Sequence, residues 1–193
     1  MEFKDPLELF EIWMAEATLD EPNDPNAMYV ATVDETGLPN IRVVLLKDFD
    51  QSGFVFYTNT ESAKGQELLH SRNAAFCFDW KSSQKRVVLR GQVDLVSEAE
   101  ADTYFQSRPR QSRLGAWASR QSRPLASKAH LLAEVAKYGF RFGLGTIPRP
   151  PHWTGFRLKP AQITFHDDSQ AQSSDLLCYE QTNSLSWSCQ RLN

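Results

Sequence analysis

Apolar and polar positions alternate with two different periods along this chain. Phe10, Trp13, Met14 and Ala17 fall at i, i+3, i+4 and i+7, which is one face of a helix. Asp5 can cap that helix, Pro6 suits its first turn and Glu8 has capping-box spacing, so a helix is predicted over residues 5–20. After a polar, Pro-containing link the period shortens to that of strands, at residues 28–33, 41–47 and 54–58, with turn-forming residues at 34–39 and 48–53. The short turns predict an antiparallel meander of these three strands, because parallel neighbours need longer crossovers.

A short helix over 62–70 and strands over 74–80 and 86–96 follow. Ser97 and Glu100 then form a second capping-box pattern, opening a helix that reaches about Ser107. Pro109 interrupts it. Further helical stretches are expected near 112–120 and 124–138, a Gly/Pro-rich loop over 143–151, and strands over 153–158, 162–166, 176–180 and 187–192. The fold class is therefore α+β, a central antiparallel barrel or sheet surrounded by helices. One domain over 1–193 is expected: a helix (5–20), barrel strands (27–96), a helical segment (97–140) and C-terminal strands (152–193).

Composition narrows the class. At 193 residues and 41% apolar, the chain can bury a sizeable core. No apolar run approaches the ~20 residues of a membrane span, and the first residues show no basic-then-apolar leader. Cys77, Cys178 and Cys189 form no C-x-x-C pair and read as reduced thiols, so a cytoplasmic protein is expected. A net charge of −3 offers no general attraction to nucleic acid or anionic membrane, and neither is expected as a partner. His70, His130, His152 and His166 lack ligand spacing, so no metal is expected. P-loop, serine-hydrolase and dinucleotide fingerprints are absent from the sequence.

The positive charge is unevenly spread. Residues 108–128 hold Arg108, Arg110, Arg113, Arg120, Arg123 and Lys128 and no Asp or Glu. Composition alone favours a solvated basic face over an anion site, but spacing strengthens the second reading. Tyr104 and Arg108 share a helix face at i, i+4, and Ser112 follows just past the Pro109 break. A phenol, a guanidinium and a hydroxyl together suit a phosphate monoester. In Arg42-Val43-Val44-Leu45-Leu46-Lys47, alternation puts Arg42, Val44 and Leu46 on one face and Val43, Leu45 and Lys47 on the other. These end charges are either strand-end solvation or a backbone edge along a flat heterocycle, with Arg42 reaching a phosphate. Lys64, early in a helix, adds charge where helix N-termini favour anions.

These residues also carry a resemblance. Arg42 to Lys47, Phe56-Tyr57-Thr58-Asn59, Tyr104-Phe105-Gln106-Ser107-Arg108-Pro109-Arg110 and Gly115-Ala116-Trp117-Ala118-Ser119-Arg120-Gln121-Ser122 resemble the pyridoxamine 5′-phosphate oxidase family, in order and at family spacing. Asn26 to Val33 matches more loosely, and the similarity runs from about Asp5 to Phe165. The resemblance implies a Greek-key split β-barrel homodimer with FMN at the subunit interface. By position it implies FMN contacts from Arg42, Val43, Val44, Leu45, Leu46, Lys47, Tyr57, Thr58, Lys64, Gln121 and Ser122. Arg42 and Lys64 would serve the flavin phosphate. Lys47, Tyr104, Arg108 and Ser112 would hold the phosphate of the B6 substrate.

The implied reaction passes a hydride from substrate C4′ to flavin N5, with O2 as acceptor, giving pyridoxal 5′-phosphate. No side-chain nucleophile is needed; Arg108 and Tyr104 position the substrate. The chain departs from the family at Ala63, where a second basic residue is usual, and at Arg86, where a flavin-facing Gln is usual. Arg86 is either a stabiliser of charge on the reduced flavin or an exposed strand residue. His166 stands at a family Trp, and Gln172-Ser173-Ser174-Asp175-Leu176 replaces an Arg-Leu-His-Asp-Arg run. The alternatives are a flavin-binding relative with another substrate or reductase activity, and a non-catalytic binder of FMN or pyridoxal phosphate.

Overall fold

A computed structural model describes residues 4–119, 121–122, 127–169, 175–183 and 186–192. In chain order the elements are α1 (Pro6–Asp20), β1 (Ala27–Val33), β2 (Pro39–Leu45), β3 (Asp48–Asp50), β4 (Gly53–Asn59), α2 (Ala63–Ser71), β5 (Asn73–Trp80), β6 (Lys85–Leu95), α3 (Glu98–Ser107), α4 (Arg110–Ala118), α5 (Lys128–Phe142), β7 (Trp153–Asp167), β8 (Asp175–Asn183) and β9 (Ser186–Leu192). Helix starts follow the capping residues. Asp5 accepts from Leu7 N at 2.9 Å, Ser62 from Gly65 N at 3.2 Å and Ser97 from Glu100 N at 3.2 Å. No described helix is long and apolar enough to cross a membrane.

The strands form one antiparallel sheet ordered β2-β1-β5-β6-β7-β4-β3, with β8 beside β7 and β9 beside β8. This corrects the expected meander. The hairpin β1–β2 is present, but β4 leaves it to pair with β7, and β5 takes the other edge of β1. The physical reason is burial. Phe54, Val55 and Phe56 are all fully buried, so β4 must be covered on both faces, which an outer position in a flat meander cannot provide. Just beyond β2, Lys47 N donates to Val55 O at 2.8 Å, so the sheet curls until the two regions meet. The result is a split β-barrel.

The two strands expected over 153–158 and 162–166 are one, β7. Pro160 lies opposite Gly91, where the β6–β7 ladder slips between Arg90 and Gly91, and this bulge accommodates a residue with no N–H to donate. The helix expected over 124–138 runs instead as α5, capped by Ser127 through His130 N, with residues 124–126 outside the described residues. The stretch expected over 112–120 is α4, and Arg120 lies outside the described residues.

The barrel interior is aromatic. Phe10 of α1 meets Phe49, Phe54 and Phe78 edge-to-face at 4.9, 4.9 and 5.1 Å, so the leading helix plugs the barrel with its apolar face. A second, smaller cluster of Phe105, Leu114, Ile147 and Trp153 fastens α3 and α4 to the start of β7. That seam is where the candidate site lies.

A methyl group at Gly91 would sit 2.0 Å from the Lys159 carbonyl oxygen, a backbone atom with nowhere to go. Gly91→Ala is therefore expected to lower stability by about 1–3 kcal/mol, read as a fall in the urea midpoint without loss of the native CD spectrum.

Candidate functional site

The end of β4, the α3–α4 junction with α4 and the segment just after it, and the start of β7 line a cleft of about 370 Å³. Tyr57, Thr58, Arg108, Ser112, Gln121 and Trp153 are among the residues lining it. Register explains the meeting: Asn59 pairs with Trp153 and Tyr57 with Gly155, and α2 begins four residues after Asn59.

One end of the cleft is cationic. Lys64 is buried, and its Nζ donates to Gln121 Oε1 at 3.2 Å and Ser62 Oγ at 3.3 Å, both neutral. Thr58 Oγ1 reaches the same Gln121 oxygen at 3.4 Å, and Ala63 N donates to Ser122 Oγ at 3.3 Å. Burial, aided by the nearby Arg42 and opposed by Glu67, pushes the Lys64 ammonium down to about 8. Arg42 lies behind it, its Nη2 donating to Glu67 Oε2 at 3.1 Å and its Nη1 to Val30 O at 3.1 Å.

The other end is an aromatic stack. Tyr57 lies parallel to Tyr104 (centroids 4.0 Å, 12°) and to Trp153 (5.2 Å, 9°). The Arg108 guanidinium sits 4.6 Å from the Trp153 ring centre. Its Nη1 is buried with no hydrogen-bond partner among the described residues. Burial draws the Arg108 pKa down, with Tyr104 opposing. Burial, then Glu100 and Tyr104, pushes Tyr57 up to about 12, and burial raises Tyr104, so both phenols stay protonated donors at neutral pH. A guanidinium with an unfilled N–H, beside a phenol and the Ser112 hydroxyl, is arranged to receive an oxyanion.

The structure thus gathers Tyr57, Thr58, Lys64, Tyr104, Arg108, Ser112, Gln121 and Ser122, with Arg42 behind Lys64. Other expected residues stand apart. Leu46 is buried in the core, Val44 packs against it, Leu45 is half-buried, and Val43 and Lys47 face solvent. Arg86 forms a 3.5 Å pair with Asp79 and sits opposite His166, thirteen residues along β7 from Trp153. At ~3.3 Å per residue that is roughly 40 Å of strand. The His166 pKa is lowered by burial and then by Arg86, with Asp168 opposing.

The basic run divides. Arg110 binds the Gly145 carbonyl at 3.1 Å and Arg113 binds Gln106 at 2.8 Å. Lys128 opens α5 at the surface. Arg120 and Arg123 lie outside the described residues, as do Gln172, Ser173 and Ser174, while Leu176 pairs with His166 on β8. Two participants escape a reading of the sequence. Trp153 carries only the signal of an aromatic opening a strand. Glu67 follows Lys64 by three residues on one helix face, a spacing that could have pointed to it.

Comparison with known proteins adds an independent line. The family model described as pyridoxamine 5′-phosphate oxidase matches residues 14–142. A pyridoxine/pyridoxamine 5′-phosphate oxidase of Allorhizobium ampelinum is 59% identical over 171 residues, 89% of this chain and 83% of that protein. One from Brucella canis is 53% identical over 189 residues, 97% and 93% of the two chains. Among solved structures, PhzG from Burkholderia lata in complex with tetrahydrophenazine-1-carboxylic acid superposes with a TM-score of 0.91 at 28% identity, covering 99% of this chain and 93% of that one. A pyridoxamine 5′-phosphate oxidase-related, FMN binding protein of Nostoc punctiforme shares the fold, with a TM-score of 0.80 at 16% identity and full coverage of both chains.

The depressed Lys64 pKa gives a pH signature. A bound phosphate ester would raise that pKa, so affinity is full while Lys64 is charged and falls as pH rises through about 8, by up to about tenfold per pH unit. Titrating the apoprotein with FMN at increasing pH is expected to trace this fall. Lys64→Met should bind more weakly and lose the break near that pH.

Proposed function

The chain belongs to the pyridoxamine 5′-phosphate oxidase family, and from that membership we propose that it is an FMN-dependent oxidase of pyridoxamine or pyridoxine 5′-phosphate. The observation that carries the proposal is a pair of cations about one cleft: Arg108 lines it with an N–H already desolvated and unfilled, and Lys64 stands behind its lining residue Gln121. The donor set fits phosphate esters. Lys64, Thr58, Gln121 and Ser122 at the α2 N-terminus, with Arg42 behind, would hold the flavin phosphate. Arg108, Tyr104 and Ser112 would hold the substrate phosphate.

When bound, FMN supplies the hydride acceptor for the substrate's C4′ carbon, and dioxygen takes the electrons on. The protein's contribution is positional. Arg108 is prealigned by the Trp153 face, Tyr104 is held as a donor by its stack on Tyr57, and the buried wall around Phe105 and Trp153 limits water. Lys47, Arg86 and the Val43–Leu46 edge do not line the cleft of their own chain. In a homodimer they would meet flavin across the seam, and the exposed apolar side chains of Tyr29, Ile41 and Val43 suit such a seam. A soluble, cytoplasmic enzyme of B6 metabolism follows from this reading.

A second reading is supported by His166 at the family's Trp position and by the close fold match to PhzG, whose structure holds a carboxylic acid. It keeps the flavin seat and changes the substrate. Anaerobic mixing separates the readings. Loss of the flavin absorbance with pyridoxamine 5′-phosphate, and its return in air, is the oxidase outcome. Bleaching only by another reductant would support the second reading, and no bleaching at all a carrier.

Removing one charge-assisted contact of ~1.5–3 kcal/mol corresponds to a loss of roughly 10- to 150-fold. Arg108→Ala is expected to raise KM for the phosphorylated vitamer by about that much while FMN occupancy stays near that of the parent. Equal loss of both would place Arg108 in the flavin seat instead.

A further inference from the structure

Glu67 is a buried carboxylate that the reaction does not use. It lies on α2 one turn after Lys64, and both of its oxygens are engaged. Oε2 accepts from Arg42 Nη2 at 3.1 Å and from Thr32 Oγ1, and Oε1 accepts from Asn40 Nδ2 at 2.8 Å. Thr32 Oγ1 in turn accepts from Arg42 Nη1. Strand register puts Val30 opposite Arg42 and Thr32 opposite Asn40, so the β1–β2 hairpin delivers these groups to one point beneath α2.

A buried carboxylate is costly unless paired and hydrogen-bonded, and here it also stands beside the cations that would receive a phosphate. A carboxylate in that place opposes anion binding unless it returns something in geometry. What it returns is the direction of the Arg42 fork. Glu67 fixes one guanidinium nitrogen and, through Thr32, the other, while standing on the same helix face as Lys64.

We infer that Glu67 is a positioning residue for the flavin phosphate: it orients Arg42 relative to Lys64 so that both cations act on one phosphate group. The inference rests on the flavin-phosphate reading of Arg42 and Lys64. A glutamine side chain in the place of Glu67 loses the charge that holds the guanidinium, and its amide N–H₂ must face either the Arg42 and Thr32 donors or the Asn40 Nδ2 donor, so the fork is held less firmly.

The test is fluorescence-quenching titration of the apoprotein with FMN and, separately, with riboflavin, which lacks the phosphate. Glu67→Gln is expected to weaken FMN binding about tenfold or more, although it removes a like charge, and to leave riboflavin affinity unchanged. In an Arg42→Lys background the same substitution should add less than about twofold, since no fork remains to be held. Asn40→Ala, which frees only Oε1, should weaken FMN binding in the same direction by a few fold, and it decides the matter if Glu67→Gln does not fold. Unchanged or tighter FMN binding by Glu67→Gln would overturn the inference, as would equal loss for riboflavin or full additivity with Arg42→Lys. Absence of FMN binding by the parent protein would remove the flavin reading itself. Binding by the parent with variants that match it would remove only the role of Glu67.

Discussion

Three cations around the candidate site, Arg42, Lys64 and Arg108, are drawn wholly or partly out of water, and they impose the main constraint on it. A charge moved into a low-dielectric interior must find a counter-charge, a set of dipoles or an aromatic face, or the fold carries the penalty. Each is met differently. Arg42 has a full carboxylate, Lys64 has neutral oxygens that leave its pKa depressed, and Arg108 has two ring faces and an unfilled N–H. Of these three, the two that remain under-satisfied are Lys64 and Arg108. The capacity to hold anions is thus a residue of incomplete pairing, and at Arg42, which is only partly buried, the carboxylate directs the fork rather than ending its reach.

The barrel is what permits this. Because β4 is buried on both faces, its last residues are carried inward to the level where β7 begins, and the chain then turns at once into α2. One strand end therefore supplies the aromatic floor through Tyr57, a hydroxyl through Thr58, and the approach to a helix N-terminus. α3 and α4 close the other side, and the break at Pro109 lets Arg108, the extended residue that ends α3, and Ser112 of α4 face one space.

Much of this is legible in the sequence because it is local. Caps at Asp5, Ser62 and Ser97, the helix break at Pro109 and the grouping of Tyr104, Arg108 and Ser112 depend on residues a few positions apart. What escapes depends on distance along the chain. Pairing of β4 with β7 joins residues about a hundred positions apart, and turn lengths carry no information about it. Pro160 reads as a strand breaker until a bulge at Ala161, on its own strand opposite the Arg90–Gly91 step, makes room for it. Glu67 looks like any helix glutamate facing solvent, since only the hairpin folded beneath it makes the position buried. Arg86 pairs with Asp79 far along the β6–β7 ladder from Trp153, and strand alternation carries no signal of that distance.

The Tyr57 ring rests on Gly155, where even a β-carbon would come within 2.7 Å of the ring edge and 2.8 Å of Val96. Its depth is consequently set by main chain, which cannot hop between rotamers as a side-chain neighbour would. Tyr104 takes its height from Tyr57, and the end of α3 takes its height from Tyr104. A single hydrogen atom thereby acts as the spacer for an entire wall.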